Sequence, residues 1–391
     1  MIPLKAALKI IAGMHYSPDT EMVAMAQAIG RVIAGDVVSD VHMPPFNKSA
    51  MDGYACRKKD LGGILEVIEL IKPGKAPVKP VGTSQCSKIM TGAMLPENAD
   101  CVVMFEDTES IGENRIRIVA ESSSPNVCLK GEDAGPGDIL LAEGTRVKAQ
   151  HMAVLASAGC FMPMVYKMPR IGILSTGDEL VEPQQTPGIS QIRNSNAYQL
   201  ASQVNRSGCL AEYVGIVKDR KNELKETVLS ALENNDVLIV TGGASKGDFD
   251  FVPQVLEEIK MKILFNKLAI QPGKPIVFAS NREKFCFGLS GNPVSSFIQF
   301  ELIVRPFLDK LTGCKIKPVY LKLPIGKEYS RKVADREMFF PVKITGQGPV
   351  IPVEYHGSAH LLSLSGADGI ANIQLGQHTI KKGTLVDVRL I

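Results

Sequence analysis

Between residues 169 and 312, short apolar runs alternate with longer segments of helical period, and this alternation restricts the possible folds more than any other feature. RIGILST (170–176) reads as a strand, and SNAYQLASQVNRSG (195–208) has helical spacing with a glycine stop. LAEYVGIV (210–217) is a second strand, and DRKNELKETVLSALENN (219–235) a helix that Asp219 is suited to cap. DVLIVTGG (236–243) is a third strand, continuously apolar like one covered on both faces. FVPQVLEEIKM then reads as a helix, and IVFAS and FCFGLSG as strands. NPVSSFIQFELIVRPFLDKLTG (292–313) is a long helix with Asn292 at the N-cap, Pro293 at its first position and a kink expected at Pro306. Strands alternating with helices predict an α/β domain over 169–312, a doubly wound, mostly parallel sheet with helices on both faces.

The flanking segments differ. Residues 1–40 read as two helices, IPLKAALKIIAG and EMVAMAQAIGRVIAGDV, and with 141–168, which holds the apolar helix KAQHMAVLASAG, they form an expected helical linking and dimerisation region. Residues 41–140 are strand-like and dense in Gly and Pro, a β-rich inserted domain. Residues 313–391 carry short alternating strands (VYLKLPI, MFFPVKI, GPVIPVEY, IANIQL, LVDVRLI) and predict a small C-terminal β-barrel. A chain of 391 residues has room for several domains.

Composition narrows the class. Apolar residues make up 45% and charged residues 22%, as in ordinary globular proteins. With 44 basic and 41 acidic residues and no basic block, nothing in the charge balance points to nucleic acid. The longest apolar run, 152–166, is interrupted by Pro163 and is shorter than the ~18 residues a bilayer span needs. Lys5 and Lys9 inside the first apolar stretch speak against a signal peptide, so a cytoplasmic protein without a membrane anchor is expected. None of the eight cysteines forms a CxxC or a Cys/His cluster of zinc spacing, and they read as reduced, mostly core residues.

In open α/β sheets ligands sit at the carboxyl ends of strands. Four loops leave strands of the central region: STGDEL (175–180), VKDRK (217–221), TGGASKGDFDF (241–251) and LSGNPVS (289–295), with KLAIQPGKP (267–275) between strands. Gly242, Gly243 and Gly247 in one loop suit close backbone approach, and the helix start at Asn292-Pro293 suits an anion such as phosphate. Asp178, Glu179, Asp219, Asp248 and Asp250 would share that edge, which calls for a cation between acids and phosphate; magnesium takes one or two carboxylates plus substrate phosphates. Lys267 and Lys274 suit anionic oxygens. Each piece has a plainer alternative: Asp219, Asp248 and Asp250 also suit helix caps, Gly242-Gly243 a turn, and PGKP a rigid surface loop. Outside this region, MPPFNKSAMDGYA (43–55) carries Ser49, Asp52 and Tyr54, IMTGAMLPENADCVVM (89–104) carries Thr91, and KGEDAGPGD (130–138) is an acidic turn.

Taken together, PPFNKSAMDGYA, IMTGAMLPENADCVV, KGEDAGPGD, ILSTGDEL, TGGASKGDFDF, KLAIQPGKP and GLSGNPVSS resemble the molybdopterin molybdenumtransferases, the MoeA family, which includes the gephyrin E domain. The motifs run in family order, and the resemblance covers nearly the whole chain. It implies insertion of molybdate into adenylylated molybdopterin with release of AMP, helped by Mg2+ or a similar divalent ion. Carried over by motif, Asp52, Thr91, Glu179, Asp219 and Asp250 match catalytic positions, and Asp219, Asp250 and Asp248 are the implied metal ligands. Asp133 is a looser match. Gly242, Gly243, Ser245, Gly247, Lys267, Lys274, Asn292, Pro293, Ser295, Arg336 and Ser358 are the implied substrate-binding positions, with Lys274 and Ser295 near molybdate. The resemblance also implies a homodimer whose site crosses the interface, and, as protein partners, the molybdopterin adenylyltransferase and recipient molybdoenzymes. Three departures stand out: Gln271 where the family usually has lysine, Ser290 where it usually has proline, and Asn47-Lys48 where an aspartate is usual. Two alternatives are the preceding adenylyltransferase step, whose enzymes normally lack the SAMDGYA segment and the β tail, and a non-catalytic gephyrin-like scaffold.

Overall fold

The computed structural model describes residues 1–119, 124–242, 251–315 and 318–391. The chain forms two compact units, one of residues 1–34, 144–148 and 164–391, the other of residues 35–143 and 149–163.

The first unit is built on a six-stranded sheet in the spatial order Leu210–Val217, Arg170–Thr176, Val237–Thr241, Phe285–Leu289, Pro275–Ser280, Lys262–Lys267. The first four strands are parallel, Pro275–Ser280 runs antiparallel to its neighbours on both sides, and Lys262–Lys267 at the edge again runs in the direction of the first four. From Arg170–Thr176 the chain moves to one neighbour, Leu210–Val217, and then crosses back to the other, Val237–Thr241, so the order reverses beside Arg170–Thr176. That reversal is where a crevice opens in such sheets.

Both faces of this sheet are buried. On one, Ile171, Ile173, Val237, Ile239, Phe278 and Phe287 pack with Ala197, Leu200 and Val204 of the Asn196–Arg206 helix, with Ala7 and Ile11 of Leu4–Ala12, and with Phe307 and Leu308. On the other, Leu174, Leu238, Val240 and Val277 pack with Leu224 and Val228 of Lys221–Asn234 and Val255 and Leu256 of Val252–Glu258. Alternate residues of each strand thus supply opposite cores, which accounts for their continuously apolar sequence.

The long helix expected over 292–313 runs from Pro293 to Leu311 in three pieces: α-helical Pro293–Gln299, a π turn at Phe300–Val304 and α-helical Arg305–Leu311. Pro306 has no N–H for a carbonyl one turn back, and the wider turn sits where that bond is missing. The other departure is at the start of the chain. Residues 21–37, expected as a helix, instead hold the strand Thr20–Met22, a 3-10 turn at Met25–Gln27 and the first residue of strand Val37–Val38. Thr20–Met22 pairs with Met164–Tyr166, and Ile33 bridges Val165. Gly30 at φ +77° lies inside the expected helix, where its conformation ends any helical run.

The C-terminal part of this unit pairs Glu337–Ile344, Gly369–Ile373, Leu385–Leu390 and Tyr320–Pro324 in that order, with Val350–Pro352 on the free side of Glu337–Ile344. The pairing returns to Val350 through a bridge from Ile325. The short strand Ile270–Gln271 joins the same sheet, parallel to Glu337–Met338.

The second unit contains a six-stranded sheet in the order Cys101–Met104, Gly53–Cys56, Gln85–Ile89, Ile64–Ile71, Arg115–Ile118, Thr108–Ser110, and the helix Ala149–Ser157. All eight cysteines are free; Cys56, Cys86, Cys101, Cys209 and Cys286 are buried, and burial pushes the Cys86, Cys209 and Cys286 thiols up to about 12. Among the described residues, no helix is long and apolar enough to cross a membrane.

Candidate active site

The carboxyl ends of the parallel strands open into a cleft of about 660 Å3. Thr176 ends one strand, Asp219 lies two residues past Val217, Gly242 follows Thr241, and Ser290 follows Leu289; all four line the cleft. Gln271 and Lys274 enter from the loop between Lys262–Lys267 and Pro275–Ser280, and Arg336 and Ser358 from the C-terminal part. A smaller cavity of about 290 Å3 shares Glu179, Gly242 and Asn292 with it and adds Pro293. The chain also has a larger groove, of about 890 Å3, lined by Arg170, Asp236 and Lys284. Those residues precede or begin their strands, the end of a parallel sheet where ligands do not collect.

Asp219 takes the orientation of a site residue. The Thr176 hydroxyl donates to its Oδ1 at 2.5 Å. The helix that follows has Arg220 at its N-cap position and no side-chain cap, so Asp219 does not serve the capping role its sequence position also allowed. Glu179 is exposed, and its side chain makes no hydrogen bond or ion pair among the described residues.

Gly242 is tightly constrained. Its φ is +96°, and a Cβ there would lie 2.1 Å from the Thr176 carbonyl oxygen. Only glycine lets these two strand ends approach so closely. Its amide donates to the Leu289 carbonyl at 3.2 Å and so ties a third strand end to the same point. Asn196 adds a side-chain tie, its Nδ2 donating to Thr241 Oγ1 at 3.0 Å and to the Gly291 carbonyl at 2.8 Å.

Two amides at the Pro293–Gln299 helix start are already engaged. Asn292 N–H donates to Ser290 Oγ at 3.2 Å, and Val294 N–H to the Ser358 carbonyl at 3.0 Å. Ser358 therefore fastens the C-terminal part to this helix through its backbone. Ser290 N–H donates to Gln299 Oε1 at 2.9 Å, a bond a proline at this position could not make.

Among the described residues, the charged side chains lining the main cleft are Glu179, Asp219, Lys274 and Arg336. Arg336 Nε pairs with Asp335 Oδ1 at 3.2 Å, while Lys274 is exposed and has no carboxylate partner among the described residues. Lys274 is thus the cation most available to an anion entering the cleft. No group of three or more His, Cys, Asp or Glu side chains placed to hold a metal ion occurs among the described residues.

Of the positions singled out from the sequence, Glu179, Asp219, Gly242, Lys274, Asn292, Ser295, Arg336 and Ser358 line the cleft, and Pro293 the adjoining cavity. Lys267 lines neither. Gly243, Ser245, Gly247, Asp248 and Asp250 lie outside the described residues. Asp52 and Thr91 belong to the second unit, where they meet: Asp52 Oδ1 accepts from Thr91 N–H at 2.6 Å and from the Thr91 hydroxyl at 2.7 Å. The backbone bond first, then the hydroxyl, holds the Asp52 carboxyl below its ordinary value. Asp178 and Asp133 do not line either cavity. Thr176, Asn196, Gln299 and Tyr355, which also lines the cleft, were not anticipated; Thr176 and Asn196 carry the signal of polar residues at a strand end and a helix start, whereas Gln299 and Tyr355 carry none.

Three family descriptions match the chain in order: "MoeA N-terminal region (domain I and II)" over residues 2–159, "Probable molybdopterin binding domain" over 172–310 and "MoeA C-terminal region (domain IV)" over 327–391. The chain is 32% identical over 403 residues to a molybdopterin molybdenumtransferase of Staphylococcus aureus and 34% identical over 400 residues to that of Staphylococcus epidermidis, covering 100% of this chain and 95% of each relative. Two crystal structures of a molybdopterin biosynthesis MoeA protein from Pyrococcus horikoshii superpose with TM-scores of 0.87 and 0.81, at 28% and 31% identity. Each covers 100% of this chain, and 100% and 99% respectively of the solved one.

Proposed function

The chain belongs to the MoeA family of molybdopterin molybdenumtransferases, and on that premise we propose that it acts in molybdenum cofactor biosynthesis, inserting molybdate into adenylylated molybdopterin and releasing AMP. One observation carries the reading beyond the family name. Asp219, Gly242, Lys274 and Arg336, from four separate segments, line one cleft at the carboxyl ends of the parallel strands. A substrate joining a pterin to a nucleotide through a pyrophosphate suits such a roomy, polar concavity.

The donor set fits a shared divalent cation better than a protein-enclosed one. Glu179 and Asp219 supply carboxylates, and magnesium completes its shell with substrate phosphates and water. Asp219 and Glu179 would hold the ion, with Asp248 and Asp250 as further candidates outside the described residues. When bound, the ion supplies charge neutralisation and polarisation of the phosphoanhydride. The protein's own part is positioning. Thr176 fixes one oxygen of Asp219, Lys274 draws in the oxyanion, and Gly242 lets the strand ends that floor the cleft come close together. A homodimer, in which the Asp52–Thr91 pair of one subunit completes the cleft of the other, belongs to the same proposal, as do a cytoplasmic location and hand-over from an adenylyltransferase to recipient molybdoenzymes.

The test mixes purified protein with adenylylated molybdopterin, Mg2+ and molybdate and follows AMP. Molybdate-dependent AMP release supports the reading. Release that is indifferent to molybdate, or none at all, contradicts it.

A further inference from the structure

We propose that Gln299 is a positioning residue for the oxyanion pocket, holding the Lys274 loop and the Ser290–Asn292 loop in one fixed relation. The inference rests on the functional reading above and adds a specific determinant of molybdate affinity to it.

Gln299 ends the Pro293–Gln299 helix and is 0% exposed. A buried neutral amide must place both its donors and its acceptor, because an unmatched polar group costs desolvation energy without return. Here every hydrogen bond of the side chain goes to a cleft loop. Nε2 donates to the Gly273 carbonyl at 3.0 Å and to the Pro275 carbonyl at 2.6 Å, the two residues that flank Lys274. Oε1 accepts from Ser290 N–H at 2.9 Å, and Ser290 Oγ in turn accepts from Asn292 N–H at 3.2 Å. One side chain therefore clamps the peptide on each side of the free lysine and links it to the loop that opens the helix.

The packing agrees. Gly273 has φ +98°, and a Cβ on it would lie 2.8 Å from Gln299 Cγ, so the loop rests directly on the glutamine stem. Lys274 itself gives its carbonyl to Leu268 N–H at 2.9 Å, and its side chain lines the cleft with no carboxylate partner among the described residues. With the backbone pinned on three consecutive residues, the exposed ammonium is presented from a rigid base. Gln271, also lining the cleft, leaves Lys274 without a neighbouring lysine to share the task, so its placement carries more of the anion affinity than two cations would require of either. The Ser290 N–H that Gln299 accepts exists only because this position is not proline.

The experiment compares wild type with Gln299→Met, which keeps the volume and removes every bond, and Gln299→Glu, which keeps the Ser290 bond but places acceptors against the Gly273 and Pro275 carbonyls. Molybdate binding by equilibrium dialysis in the presence of AMP gives a Kd independent of turnover; steady-state AMP release gives KM and kcat; urea unfolding gives stability. Both variants should raise the molybdate Kd and KM about tenfold or more, the scale of a misplaced charge-assisted contact, with KM for adenylylated molybdopterin and kcat at saturating molybdate changed less than about threefold. In a Lys274→Ala background, Gln299→Met should add nothing further to the molybdate Kd. A molybdate Kd unchanged in a folded variant, or KM for both substrates and kcat falling together in step with stability, overturns the proposal. Should Gln299→Met not fold, Gln299→Glu carries the comparison; should neither fold, Gln299 is a structural core residue and the proposal is wrong. Wild type that binds molybdate but releases no AMP leaves the positioning inference standing and overturns the functional reading, so the two failures are separable.

Discussion

Replacing Gln271 by lysine should tighten molybdate binding, and the structure sets the size of the effect. The charged side chains lining the cleft among the described residues are Glu179, Asp219, Lys274 and Arg336, a formal sum of zero. Arg336 is already paired with Asp335 at 3.2 Å, so one uncommitted cation faces an incoming dianion. Gln271 lies next to the Pro272–Pro275 loop, pairs with Met338, two residues from Arg336, and lines the cleft with Lys274, so a lysine there adds a second cation to the same cleft. Two unit charges at 4 Å are worth about 1 kcal/mol in water and about 4 kcal/mol at an effective dielectric of ~20. A dianion at about twice that separation has the same range, because doubled charge offsets doubled distance. Gln271 is only half-buried and Lys274 is exposed, so solvent screening favours the lower part, about 1–2 kcal/mol. That corresponds to a molybdate KM lowered roughly 5- to 30-fold. The assay is AMP release against molybdate concentration at saturating adenylylated molybdopterin, at low and at high ionic strength. With a Debye length of about 3 Å at 1 M salt, the advantage should largely vanish there. A molybdate KM unmoved by Gln271→Lys, or lowered equally at both salt concentrations, would refute an electrostatic pocket centred on Lys274.

Other predictions follow from the same geometry. Asp219→Asn keeps an acceptor for the Thr176 hydroxyl but loses the charge, so AMP release should fall at least about 100-fold while the urea midpoint moves little; activity above a tenth of wild type contradicts the role assigned to Asp219. Asp52→Ala and Asp219→Ala should each be inactive alone, and an unfolded and refolded equimolar mixture should recover about a quarter of wild-type activity if the site joins two subunits of a symmetric dimer; no recovery argues for a site within one subunit. Glu301 is fully buried between Arg206, Arg305 and Arg389. Burial pushes its carboxyl up, but Arg389, Arg206, the Gln203 hydrogen bond and Arg305 together outweigh it and hold the group below its ordinary value. Glu301→Gln should cost about 3 kcal/mol or more at neutral pH, since it leaves the buried Arg389 uncompensated, while the more exposed Arg206 and Arg305 lose less. Because the folded-state value is depressed, that stabilisation is whole above the ordinary carboxylate range and is lost as pH falls through the folded value. Denaturation curves of wild type and variant should therefore converge in acid, and a constant gap down to pH 3 would count against the ion cluster.

The central sheet was legible because its strands are covered on both faces. A run such as Val237–Thr241 then has no polar alternation to confuse it with an edge strand or a loop. Glycines and acids at strand ends marked Gly242 and Asp219 for the same reason: strand ends in such a sheet are where backbone approach and charge are needed. What failed was local pattern overridden by tertiary pairing. Residues 21–37 have apolar spacing compatible with a helix, yet Thr20–Met22 is claimed by Met164–Tyr166, more than 140 positions away in the chain. Asp219 illustrates a further limit, since an aspartate just before a helix suits a cap and only the Thr176 contact tells the two roles apart. Gln299 was invisible because a buried glutamine on an apolar helix face gives no sign of which loops its amide will bind.

The most direct test of the account is a crystal of this protein soaked with AMP, Mg2+ and molybdate. The prediction is that all three lie in the cleft at the carboxyl ends of the parallel strands, with the phosphate near Gly242 and Asp219 and the oxyanion within hydrogen-bonding distance of Lys274 Nζ. Density for AMP in the larger groove beside Arg170, Asp236 and Lys284, with nothing bound at Lys274, would contradict it.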